Sequence, residues 1–305
     1  MPTKRWGGFS PPAACVSLSS VQIVLAIAYG FALLWGALWG SFLNVVVYRL
    51  PAGLSVVRPR SRCPGCLRPI VWWQNVPIVS WALLRGRCFH CKMAISLRYP
   101  AVETVVAALS VAVVMPWLPI ALQGDLEPWR LVIAVLGEQA FVFALVAIAL
   151  IDADTFMVPD VISLPLVILG LLLSVVVGPA RGVSWQIAGT GALLGGGGLL
   201  VIQWGYARLT GREGLGTGDV KLLAAIGAVL GIVALPAVML LAALQGLGFA
   251  LVYALVSGGK VKEERGLASL RHLALPFGPF LALAAIQWLL LRPVWLQLGH
   301  RYLGL

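Results

Sequence analysis

Charge is scarce in this chain of 305 residues: 11% of them are charged, 60% are apolar and only eleven are acidic. A soluble globular domain carries about 25% charged residues, so that class is excluded at once. The same shortage, joined to the high apolar content, excludes an intrinsically disordered chain. Segments of alternating apolar and polar residues are also missing, which excludes a transmembrane β-barrel. No internal repeat of the kind that builds inverted-topology transporters can be traced, and no glycine-rich nucleotide fingerprint follows a strand pattern. What remains is a mean hydropathy of +0.96 and a series of unbroken apolar runs of roughly 18 or more residues, the length that about 30 Å of hydrocarbon demands of a helix. The sequence therefore reads as an all-α polytopic membrane protein.

Spans are expected at roughly 21–43, 101–121, 131–151, 161–178, 187–207, 220–235, 237–257 and 278–296, about eight transmembrane helices, with tails at 1–20 and 297–305. The first run is too long, and wrongly flanked, for a cleaved signal peptide. Turns are expected at Gly178-Pro179 and Leu235-Pro236, where proline ends a helical pattern. Pairs of small residues four apart, Gly36 with Gly40, Gly191 with Gly195 and Gly227 with Gly231, read as close helix packing.

The formal charge of +11 is concentrated: nine of the 22 Lys and Arg lie between Arg49 and Arg98, a stretch without one Asp or Glu. A basic loop beside a span marks the cytoplasmic face and can touch anionic lipid headgroups of the bilayer. The charges are dispersed among Pro, Cys and Trp instead of lining a helix, which argues against a nucleic-acid partner. Loops 48–100, 208–221 and 257–277 together hold 16 of the 22 basic residues and are assigned to the cytoplasm. An even number of spans then turns both termini outward, against the lesser weight of Lys4 and Arg5.

Inside the basic loop stand Cys63-Pro64-Gly65-Cys66 and Cys88-Phe89-His90-Cys91, two C-x-x-C knuckles separated by 21 residues. That spacing fits a structural zinc site of four thiolates, slightly beyond the usual ~15–20 residues. Disulfides and free thiols are the alternatives, the former disfavoured by a cytoplasmic location. Four sulfurs would leave a metal no open position for water, so its role would be to hold the loop together. Cys15 lies outside the pattern, and His90 reads as a solvated turn residue.

With eleven acids in the chain, a cluster is informative, and Asp152, Asp154 and Asp160 follow directly on a long apolar helix. Asp219 closes Gly216-Thr217-Gly218-Asp219 and is followed at once by another apolar run. Carboxylates at the edge of hydrocarbon are functional candidates, and two that face each other tend to share a proton, giving one general base and one general acid. Asp152 and Asp219 are thus the candidate catalytic pair of an aspartic protease. Helix capping is the other reading of Asp219, and N-capping is preferred for Asp160. Asp154 stays open between orienting Asp152, meeting water and attracting a basic substrate. Glu103 and Glu138 read as interfacial or packing residues, with Glu103 near enough to the cysteine loop to line a cofactor site.

The segments Gly40 to Pro51, the knuckles flanking Asn75 to Trp81, Ile95 to Glu103, Asp152 to Asp160, Gly211 to Lys221 and Pro276 to Pro279 occur in an order that resembles the bacterial type IV prepilin peptidases. Trp73, Leu215 and Val158 depart from the commoner Tyr, Met and Leu of that family. The resemblance implies an endopeptidase that removes the basic leader of prepilins and pseudopilins between Gly and Phe at the cytoplasmic face of the inner membrane. It also implies N-methylation of the new terminus with S-adenosylmethionine, through residues that remain unknown. By motif, it assigns catalysis to Asp152 and Asp219. It associates methyl transfer with a first unit at 21–121 that encloses the loop 48–100, and places peptidase chemistry in a six-helix core at 131–296. The rival readings are a non-catalytic zinc-containing scaffold of pilus or secretion assembly, a peptidase without methyltransferase activity, and a cation transporter. The last predicts broken helices at the midplane, whereas these acids fall at helix ends.

Overall fold

In hydrocarbon a backbone must satisfy its own hydrogen bonds, and continuous apolar sequence therefore coils into helices. The computed structural model describes residues 18–211, 216–257 and 275–303, with the side chains of 18–20, 257 and 293–303 left aside. Among them are α1 (Leu18–Arg49), α2 (Val79–Leu83), α3 (Arg98–Val114), α4 (Trp117–Gln123), α5 (Pro128–Thr155), α6 (Asp160–Val176), α7 (Gly178–Arg181), α8 (Trp185–Thr210), α9 (Thr217–Leu230), α10 (Ala234–Ser257) and α11 (Gly278–Leu303). No strand occurs among the described residues, only two isolated bridges in the cysteine loop. The all-α reading holds.

Five stretches are long and apolar enough to cross a membrane: Val21–Arg49, Arg98–Gln123, Pro128–Thr155, Trp185–Thr210 and Ala234–Val256. Helix α6 and the apolar part of α11, Gly278–Arg292, are shorter. The expected span at 220–235 is a helix of 14 residues, about 21 Å long and short of the hydrocarbon thickness. Helix α9 is enclosed by its neighbours, with Val220, Leu222, Leu223 and every residue from Ala225 to Leu230 buried, and it runs from Asp219 at one end of the bundle to Val229, beside Arg181, at the other. Its end comes earlier than the proline suggested: Gly231, at φ +83°, stops it, and Pro236 falls in the first turn of α10, where a missing N–H costs nothing. Pro179 likewise sits inside the short turn α7. The tail at 1–20, the loop at 258–274 and Glu213 lie outside the described residues, save for Leu18 to Ser20 at the start of α1. Beyond the expected end at 296, α11 continues to Leu303.

Phe141, Leu145 and Ile148 of α5 share one buried apolar cluster with Leu222 and Ile226 of α9 and Leu281 of α11. The paired glycines serve packing as expected. A Cβ on Gly36 or Gly40 would stand 2.7 Å from the Cα of Ala107 or Glu103, and one on Gly195 would stand 2.6 Å from the carbonyl of Leu223. Helix α1 thus lies directly on α3, and α8 on α9.

Candidate active site

Four polar contacts gather helix ends that are distant in sequence. Asn44 Nδ2, near the end of α1, donates to the Tyr99 carbonyl at the start of α3 (3.2 Å). Arg98 Nη2, the first residue of α3, bonds Asp154 Oδ2 in the last turn of α5 (2.6 Å). Lys221 Nζ in α9 bonds Asp160 Oδ1 at the start of α6 (2.6 Å). The Gly278 amide, at the start of α11, donates to Asp152 Oδ2 (3.0 Å). The bundle therefore presents at one end the acids that the sequence singled out, with the cysteine loop beside them.

Asp152 is buried in the last turn of α5, which closes on Phe156 in the left-handed conformation. Asp219 is half-buried, the third residue of α9, behind a first turn that begins at Thr217. Gly218 brings that turn against the α5–α6 link: a Cβ there would lie 2.9 Å from Val158. The two carboxylates come close enough for the charge of Asp152 to act on Asp219. A cavity of about 250 Å³ opens next to them, lined by Leu50, Pro51, Ile151, Met157, Val158, Pro159 and Asp160.

The neighbouring acids resolve differently from the sequence reading. Asp160 is not the N-cap of α6: Pro159 holds that position, and Asp160 is the first helical residue, paired with Lys221. Asp154 is paired with Arg98. Asp219 makes no capping bond, since the N-cap of α9 is Gly216. Glu138 is buried far from this end, in a salt bridge with Arg181. Glu103 Oε2 accepts the Ile78 amide at 2.7 Å and so ties the cysteine loop to α3.

The two knuckles are built alike. In the first, the Cys63 amide donates to the Arg68 carbonyl and the Leu67 amide to the Cys63 carbonyl; in the second, Cys88 does so to Met93 and Lys92 to Cys88. Leu67 (φ +57°) and Lys92 (φ +60°) turn each chain through the left-handed region. The bridges Arg62 to Pro69 and Arg87 to Ala94 close both turns. Sulfurs of Cys63, Cys66, Cys88 and Cys91 all lie within 4.8 Å of one another, with 3.6 Å between Cys63 and Cys91. Tetrahedral zinc with Zn–S of about 2.3 Å needs sulfurs this close, and the four residues fit that ion. The backbone amides of Cys91 and His90 pull the Cys88 thiol down to about 6, whereas burial and the other three sulfurs push that of Cys91 up to about 11. Around the cluster, Ser80 Oγ bonds the Trp73 carbonyl (2.6 Å), and Trp81 Nε1 bonds that of Ile95 (3.1 Å).

The Gly278 amide is the functional group that sequence reasoning missed. Its motif, Pro276 to Pro279, was visible, but a backbone N–H leaves no mark of its partner in the side-chain pattern.

Known proteins resemble this chain along most of its length. Residues 34–117 match the bacterial peptidase A24 N-terminal domain, and residues 139–251 match the type IV leader peptidase family. A prepilin leader peptidase/N-methyltransferase of Aeromonas hydrophila is 38% identical over 306 residues, covering 88% of this chain and 96% of that protein. The protein of the same name from Neisseria gonorrhoeae is 35% identical, covering 91% of this chain and all of its own length. That of Burkholderia pseudomallei strain 1026b is 37% identical over 88% of this chain and 87% of its own. No solved structure matches. With both domain models matched in order and relatives aligned nearly end to end, this multi-pass membrane chain belongs to the type IV leader peptidase family.

Proposed function

We propose that the protein is a prepilin leader peptidase/N-methyltransferase whose peptidase dyad is Asp152 and Asp219. It removes the basic leader of type IV prepilins and pseudopilins between Gly and Phe, at the cytoplasmic face of the inner membrane; both termini face outward if α9 is counted with the other helices that run between the two ends of the bundle. The observation that supports the reading is that Asp152 and Asp219, from separate helix ends, come near enough at one end of the bundle for the charge of one to act on the other. An ionised carboxylate takes a proton from water as it attacks the scissile carbonyl, which the protonated partner polarises. The proton then passes to the leaving amine, and no covalent intermediate forms.

The unit at 131–296 carries this chemistry. The unit at 21–121 carries the loop 48–100, in which Cys63, Cys66, Cys88 and Cys91 hold zinc. Zinc held there would supply folding energy by joining the two turns. S-adenosylmethionine supplies the electrophilic methyl group for the new amino terminus, and we assign no residue to it. The bilayer is a partner throughout, and nucleic acid is not.

The test is purified protein with a prepilin-like substrate, comparing the wild type with Asp152→Asn and Asp219→Asn. Both variants are expected to lose cleavage; cleavage retained in either refutes the dyad. Labelled S-adenosylmethionine in the same assay reads the second activity, and an unmethylated product confines the function to peptidase.

A further inference from the structure

We infer that Asp152 is the ionised member of the pair and acts as general base, that Asp219 is the protonated member and acts as general acid, and that the backbone amide of Gly278 sets this order. The inference rests on the dyad reading above. Gly278 is the first residue of α11, so its N–H is one of the donors that a helix N-terminus leaves without an internal partner. It is spent on Asp152 Oδ2, in a buried bond of 3.0 Å. An amide offers only a proton, so Oδ2 must present a lone pair and cannot carry a proton toward it. Such a bond is stronger to a carboxylate than to a neutral acid, and the positive end of α11 acts in the same sense.

Only glycine permits this approach. A Cβ at position 278 would stand 2.6 Å from Oδ2 and 3.0 Å from Cγ of Asp152. Asp152 itself is held in the last turn of α5, so neither side can retreat without moving a helix.

The carboxylate of Asp219 accepts no hydrogen bond among the described residues. Among the described residues, two ion pairs stand beside the dyad: Lys221 of α9 with Asp160 of α6, and Asp154 of α5 with Arg98 of α3. Helix α11 brings no charged side chain between Phe277 and Gln287. Among the described residues, the remaining charge that acts on Asp219 is Asp152. The α9 terminus favours negative charge on Asp219, and the α5 terminus disfavours it on Asp152, but both act as helix ends without a directed donor. A directed bond to a charged group outweighs them.

The experiment is the pH dependence of kcat/KM for a prepilin-like peptide, in wild type and Gly278→Ala. The acid limb reports the base and the alkaline limb the acid. Loss of the amide bond is expected to move the acid limb up by roughly one pH unit, the tenfold change that one bond to a charged group commands, while the alkaline limb stays. Movement of the alkaline limb alone, of both limbs together, or of neither overturns the assignment. Should Gly278→Ala fail to fold, carboxyl-carbon NMR of the wild type decides, with signals assigned by their loss in Asp152→Asn and Asp219→Asn. The Asp152 signal must titrate at the lower pH, and the reverse order overturns the inference. Cleavage retained in either Asn variant would instead overturn the dyad, so the two failures are distinguishable.

Discussion

Removing the Glu138 carboxylate should be among the most damaging single changes at the end of the bundle away from the dyad. Glu138 Oε1 accepts from Arg181 Nε at 3.0 Å, and its Oε2 accepts from Trp117 Nε1 at 2.8 Å. Arg181 Nη2 reaches the Val229 carbonyl at 3.2 Å, near the end of α9, where helix carbonyls lack partners. One carboxylate and one guanidinium thus join α4, α5, α7 and α9. The side chains of Arg181 and Glu138 are 1% and 8% exposed, and Arg181 Nη1 has no partner among the described residues. Glu138→Ala therefore strands a buried cation, a loss of about 3–5 kcal/mol. Glu138→Gln keeps an acceptor for Arg181 and should cost less. Glu138→Met with Arg181→Met removes both charges and should recover much of the loss, since apolar replacement of a buried pair is often near neutral. Recovery will be partial, because Trp117 Nε1 and Val229 O lose partners at about 1–3 kcal/mol for a group left unsatisfied. The assay is equilibrium unfolding in mixed micelles titrated with dodecyl sulfate. A loss below about 1 kcal/mol for Glu138→Ala, or a double variant costing the sum of the singles, would refute the reasoning.

Two further outcomes are expected. Cys88→Ser should reduce bound zinc, measured by elemental analysis of the purified protein, from about one ion per chain to a trace, because three sulfurs no longer close the tetrahedron; unchanged stoichiometry would refute the four-thiolate site. Gly40→Val should cost about 1–3 kcal/mol in the same micelle titration, since its Cβ would meet the Glu103 backbone at 2.7 Å, whereas Gly189→Ala, with nothing within 4 Å, should be near neutral.

The parts of this molecule that were legible in sequence share a physical property: each writes its requirement into side chains. Apolar runs must be helices in lipid, four cysteines at knuckle spacing must converge, and an acid at a membrane edge needs a reason to be there. Three features escaped for the opposite reason. The length of α9 is set by Gly231 and by the bundle that encloses it, so its apolar run overstated its length. Asp160 looked like a cap because it follows Pro159 before an apolar run; the ion pair with Lys221 depends on α6 and α9 lying side by side, which local pattern does not encode. Glu138 looked like a packing residue, and its partner Arg181 lies 43 residues away.

The dyad region shows why such omissions concentrate where helices meet. Asp152 and Asp219 each lie two residues before a charged side chain, Asp154 and Lys221, whose partner comes from another helix. These pairs are about two-fifths exposed and contribute little to stability singly. Each does link a turn that carries a dyad residue to a neighbouring helix, the last turn of α5 to α3 and the first turn of α9 to α6. The third constraint on the site, the Gly278 amide, requires a residue whose side chain is absent. A scarcity of acids made the two aspartates conspicuous. The group that distinguishes one from the other is backbone, and only the fold brings it there.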